Sequence, residues 1–153
     1  MLKLLATALC FAALAQAEDL PRRPYLNLAA VKKMVAAAED EARKRNVSVT
    51  LCIMDESGNI LFLQKGDQAS IATLEWAQRK ARHAAFSGSP SKNAADAVRD
   101  GKLATLAYPY QFPNQGGLPI KYGGQLIGGI SASGAASEID EAIAQAGLDA
   151  LLK

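Results

Sequence analysis

Eight of the chain's 12 glycines fall between Gly116 and Gly147, in the run GGLPIKYGGQLIGGISASGAASEIDEAIAQAGLDAL. Few folds accept that spacing. Leu118 to Tyr122 and Gln125 to Ser131 are short apolar runs that read as strands. Gly123-Gly124 between them is a two-residue turn that tolerates positive φ, which makes the unit a β-hairpin. Gly128 and Gly129 lie inside the second strand, where glycine marks a bulge or a close approach by another backbone or a ligand. Ser133-Gly134-Ala135-Ala136 turns the chain, and Ser137 starts a helix. Asp140 and Glu141 fall in its first turn, where acids complement the helix dipole. Ile139, Ile143, Ala146 and Leu151 space its apolar face.

The opposite end of the chain reads as a targeting segment. Lys3 precedes an apolar run from Leu4 to Leu14, followed by Ala15-Gln16-Ala17. A basic start, an apolar stretch and an A-x-A site are the pattern of a secretory signal, and the run is too short to span a bilayer. Residues 1–17 are therefore expected to be removed, with the remainder periplasmic or secreted. Residues 18–27 carry Pro21 and Pro24 and read as a mobile lead-in. Residues 28–153 are long enough for one domain with its own core. The chain has 17 basic and 15 acidic side chains. Cleavage removes Lys3 and no acid, so the balance approaches neutrality. Nothing in that charge points to nucleic acid or an anionic membrane as partner. Of the two cysteines only Cys52 survives cleavage, which leaves no internal disulfide. It lies in an apolar strand and reads as a small buried hydrophobe.

Asn27 can cap a helix running to about Arg45, with Leu28, Val31, Val35 and Ala38 on its apolar face. Met34 borders that stripe, where a thioether fills gaps in a core more often than it ligates iron. Val47 to Met54 alternates as a strand, Asp55 to Asn59 turns, and Ile60 to Gln64 returns as a second hairpin with Gly58 in the turn. Asp55 reads as satisfying turn amides, with a ligand or acid role as the alternative. Ser70 is expected to cap a helix to about Phe86, with Ile71, Leu74, Ala77, Ala81 and Ala84 inside. Arg79, Lys80 and Arg82 make that helix basic, either as a solvated face or to hold carboxylates of a ligand. His83 is the single histidine; lone histidines are more often packed or surface residues than ligands. Pro90 and a capping Ser91 restart a helix that stops at Gly101. Leu103 to Gln115 is a loop carrying Tyr108, Tyr110 and Phe112. Two hairpins and four helices in this order predict an α+β fold with one antiparallel sheet of four to five strands flanked by helices.

The glycines fit neither a Rossmann turn nor a phosphate loop. Gly129-Ile130-Ser131-Ala132-Ser133 misses the G-x-S-x-G elbow by its last residue. No acid–base or nucleophile constellation is recognisable, which disfavours an enzyme. The strongest candidate site in the residues themselves is the hairpin-to-helix turn. There Ser131, Ser133 and Gly134 could present amides and hydroxyls to an anion. A capped helix after a strand is the plain alternative.

Four segments carry a resemblance. Met54-Asp55-Glu56-Ser57-Gly58-Asn59-Ile60-Leu61 is similar to V-D-x-x-G-x-L-L. Lys80-Ala81-Arg82-His83-Ala84-Ala85-Phe86 is similar to K-A-x-T-A-A-x-F. Gly116-Gly117-Leu118-Pro119-Ile120 is followed by Gly124 to Ile130. Last comes Ser133-Gly134 through Asp140-Glu141 to Ala146-Gly147-Leu148. On these the chain resembles the GlcG/HbpS-like haem-binding family, which includes the C-terminal domain of PduO-type proteins. Two departures stand out: His83 in place of a small or hydroxyl residue, and Gln64-Lys65-Gly66-Asp67 in place of R-M-D-G.

The resemblance implies a profilin-like fold, homo-oligomers, and haem or another tetrapyrrole as ligand in some members. It implies no single reaction. A haem site needs an axial donor, apolar walls and cations for the propionates. His83, Tyr108, Tyr110 and Tyr122 are the candidate donors, with His83 the candidate metal ligand; Arg79, Arg82 and Lys121 are the candidate propionate partners. The leading expectation is an exported, non-enzymatic binder of haem or a similar planar ligand. The rival is an enzyme or accessory acting on a small oxygenated metabolite through Asp55 and the Ser131–Gly134 turn. A scaffold making only subunit contacts is the third reading.

Overall fold

The computed structural model describes residues 21–152. The expected signal segment lies outside the described residues. The elements run α1 (Leu28–Lys44), β1 (Thr50–Asp55), β2 (Ile60–Lys65), α2 (Ala72–Ser87) and α3 (Ser91–Arg99). A short 3-10 helix (Leu103–Ala107) follows, then β3 (Gly117–Tyr122), β4 (Gln125–Ser133) and α4 (Ser137–Leu152). The strands form one antiparallel sheet in the order β2-β1-β4-β3. This is the expected α+β layout with four strands. β1 and β4 are central, and Pro119 is tolerated because β3 is an edge. Among the described residues no helix is long and apolar enough to cross a membrane.

Strand alternation divides the core between two faces. Leu51, Ile53, Ile130 and Ala132 face α1 and α4, where Val31, Met34, Val35, Ala38, Ile143 and Ala144 complete the packing. Met34 thus has the core role expected of it. Leu26, at the end of the expected lead-in, also packs there, and Asn27 caps α1 through the Ala30 N–H at 2.8 Å. Leu28, expected inside, is exposed, because it lies on the outward side of the first turn.

The other face is built for close approach. Cys52 and Met54 pack on Ala77 and Ala81 of α2. A methyl group on Gly129 would sit 2.3 Å from the Ala81 carbonyl oxygen, and one on Gly117 2.4 Å from that of Lys80. Glycine is needed at both because the backbone of α2 lies directly on the sheet, the close approach expected of Gly129. The Ser131 hydroxyl donates to the Ala77 carbonyl at 2.6 Å and ties sheet to helix.

Several local expectations shift. β1 begins at Thr50 rather than Val47. α2 has no side-chain cap. Ser70 instead offers its carbonyl to the Thr73 N–H and hydroxyl, and Ile71 is exposed. Ser91 is the first residue of α3, not its cap. Its hydroxyl donates to the Asn114 carbonyl and accepts from the Gly117 N–H, which pins the aromatic loop to the start of β3.

Candidate functional site

α2 carries three of the candidate side chains, Arg79, Arg82 and His83. His83 is 2% exposed. Its Nδ1 accepts the Phe112 main-chain N–H at 3.2 Å, so the neutral ring carries its proton on Nε2. That Nε2 is buried and has no hydrogen-bond partner. Burial holds the imidazole below its ordinary value of 6.5, partly offset by the Tyr110 main chain; the ring is neutral at neutral pH.

His83, Phe86, Ser87, Tyr108, Pro109, Tyr110 and Gln111 line a cleft of about 290 Å3. Gln111 Oε1 is a second buried polar atom without a partner. Tyr110 and Gln111 also wall an adjoining cleft of about 250 Å3 with Glu75, Arg79, Arg82 and Phe112. The Arg79 guanidinium lies 4.4 Å from the Phe112 ring centre. Tyr110 stacks on Phe86 at 4.4 Å with φ +67, an uncommon conformation for a non-glycine residue. Five candidates, His83, Tyr108, Tyr110, Arg79 and Arg82, thus come together around one aromatic loop. Tyr122 and Lys121 do not join them. They are exposed at the end of β3 beside the Gly123–Gly124 turn.

The expected anion-binding turn is divided. Ser131 is fully buried under α2 and committed to Ala77, because strand alternation turns it to that face. Ser133 and Gly134 line a separate cavity of about 370 Å3, with Trp76, Lys80, Asn114, Ser137 and Asp140 among its walls. Asp55 is a turn residue: it accepts from the Ser57 and Asn59 N–H groups and the Asn59 amide at 2.8–2.9 Å. Partial burial raises its pKa, but these bonds and the Gly58 N–H together outweigh that and hold it below the ordinary 3.8. Asp55 and Ser131 therefore form no joint site.

Lys80 and Asp140 form a buried pair that no local motif announces. Lys80, expected among the solvated bases, is 1% exposed and meets Asp140 at 2.8 Å and the Ala132 carbonyl at 3.2 Å. Asp140, expected as a dipole complement, also accepts the Ala135 N–H. The available signal was that Lys80 falls between Ala77 and Ala84 on the helix stripe that goes inside. Cys52 is buried; burial, weakly opposed by Arg82, pushes its thiol up to about 12. Among the described residues no group of three His, Cys, Asp or Glu side chains gathers as a metal site.

The chain is similar to known proteins in sequence and in fold. A family model described as haem degrading protein HbpS-like matches residues 26–149. An uncharacterized 15.0 kDa protein from the dhaT-dhaS intergenic region of Citrobacter freundii is 35% identical over 131 residues, covering 81% of this chain and 90% of its own. The crystal structure of HbpS superposes with a TM-score of 0.77 at 29% identity, covering 88% of this chain and 96% of that one. That of a PduOC–heme complex superposes with 0.76 at 26% identity, covering 83% and 95%. Sequence and fold together make this chain a member of the HbpS-like family.

Proposed function

We propose that this chain binds haem or a related tetrapyrrole in the joined clefts beside α2, as an exported and non-enzymatic carrier that self-associates. The observation that carries the reading is the pair of buried, unpartnered polar atoms, His83 Nε2 and Gln111 Oε1, in a cleft walled by Phe86, Tyr108 and Tyr110. Buried polar atoms are nearly always satisfied, and a bound ligand is one way to satisfy these. The HbpS-like family and the heme-bound relative support the ligand class.

The residues fit a haem group. Aromatic walls suit a flat macrocycle, and Arg79 and Arg82 stand beside the cleft as cations for propionates. Haem would supply an iron centre, and His83, Tyr108 and Tyr110 are the side chains of the cleft that would hold it. His83 is the less prepared donor. A ligating imidazole offers one nitrogen's lone pair and donates from the other, whereas here Nδ1 already accepts a proton donor and Nε2 keeps its own. Tyr108 and Tyr110 would have to release only the phenol proton, with no tautomer to shift.

Haemin titration of the purified chain, followed in the Soret region, tests this. Saturable binding is expected, weakened at least tenfold in Tyr108→Phe or Tyr110→Phe and less in His83→Ala. A linear, unsaturable response would sink the reading. Persistence of the Soret band after a reductant is added is the expected result for a carrier, and its loss would mark a degrading enzyme. Export rests on residues 1–17. Expression of the whole chain in a Gram-negative host should yield periplasmic protein starting at Glu18, checked by N-terminal sequencing. Self-association rests on edge strand β2, where Ile60 and Leu61 are exposed; sedimentation at micromolar concentration checks it.

A further inference from the structure

The cavity of about 370 Å3 at the start of α4 is separate from the clefts around His83 and is built differently. Its walls include Ser70, Thr73, Trp76, Lys80, Asn114, Ser133, Ser137 and Asp140. The one acid among them is already balanced. Asp140 gives one oxygen to Lys80 Nζ and the other to the Ala135 N–H. What remains facing the space is chiefly donors. The Ser137 main-chain N–H lies in the first turn of a 16-residue helix, where no intrahelical acceptor exists, and it finds none among the described residues. The Ser133 and Ser137 hydroxyls are likewise not taken up there. Lys80 makes two bonds and has a third N–H. Trp76 adds an apolar wall.

We infer that this cavity is a binding site for a small monocarboxylate. Donors at a helix N-terminus beside a buried ammonium stabilise negative charge. With Lys80 paired to Asp140 the cavity carries no net charge, so the remaining donors solvate one buried negative charge at far lower cost than the two of a dianion such as phosphate. The carboxylate sits toward Ser137 and Lys80, and its carbon chain lies along Trp76.

Trp76 is the chain's single tryptophan, so its fluorescence reports on this cavity. The experiment is a titration of the whole chain with propionate, with propionamide as the uncharged counterpart and inorganic phosphate as the dianion. Propionate is expected to give a saturable change, and propionamide and phosphate at least tenfold weaker ones. Ser137→Ala should weaken propionate several-fold, and Lys80→Met/Asp140→Asn by at least tenfold. If that double variant does not fold, Ser137→Ala decides alone. No saturable response to propionate, tighter binding of phosphate, or unchanged affinity in these variants overturns the assignment. Haemin binding reports on a different set of residues, so its outcome neither rescues nor removes this site.

Discussion

Lys80 shows how one side chain can be misplaced by its type and placed correctly by its position. Charged residues are almost never fully buried unless paired, and Asp140 supplies the pair 60 residues away. Removing one partner of such a pair leaves an uncompensated charge. Lys80→Met is therefore expected to cost about 3–5 kcal/mol in chemical denaturation, while Lys80→Met/Asp140→Asn recovers much of that loss. Cys52 makes the opposite prediction. With its thiol pushed up to about 12, it should resist a thiol reagent at pH 8 in the native chain and react at once in denaturant. Cys10→Ser leaves it as the single thiol to be counted. Neither Asp140's burial nor Phe112's donation to His83 was readable locally, since each depends on a partner far along the chain.

At the scale of elements, the contact between α2 and β4 depends on missing side chains. Gly129→Ala puts a methyl group 2.3 Å from the Ala81 carbonyl oxygen. Overpacking of that kind costs about 1–3 kcal/mol or more, with binding at the clefts disturbed because α2 carries both. Gly124 provides the contrast. It has φ +82 and nothing within 4 Å of an added methyl, so Gly124→Ala is expected to cost only about 1–2 kcal/mol from the left-handed backbone. Paired denaturation curves distinguish packing from dihedral strain. The hairpins and helices were legible because apolar period and paired glycines are local signals. The cap residues were less so: Ser70 and Ser91 have the right chemistry for N-caps, but Ser70 holds the first turn only through its carbonyl and the Ser91 hydroxyl is drawn into tertiary hydrogen bonds.

For the whole molecule, pH links site to stability. His83 is held below its ordinary 6.5 by burial, so the unfolded chain takes up a proton before the folded one does. Stability is complete above about 6.5 and is lost as pH falls through the folded value. His83→Gln should flatten that limb of a stability–pH profile. Asp55 adds a second loss in more acid solution, below 3.8, as its turn bonds are protonated away. The sequence by itself determined the order of the four helices and four strands, the two hairpins, the α+β class and the family, because these follow from period, turn chemistry and motifs contiguous in the chain; the 3-10 helix at Leu103–Ala107, within the expected loop, has no such period. Only the tertiary structure decided which candidates share a site. It gathered His83, Tyr108, Tyr110, Arg79 and Arg82, left Tyr122 and Lys121 outside, and took Ser131 into the core. Side-chain direction in a strand and burial on a helix are set by what packs against each face, and that information lies in other parts of the chain.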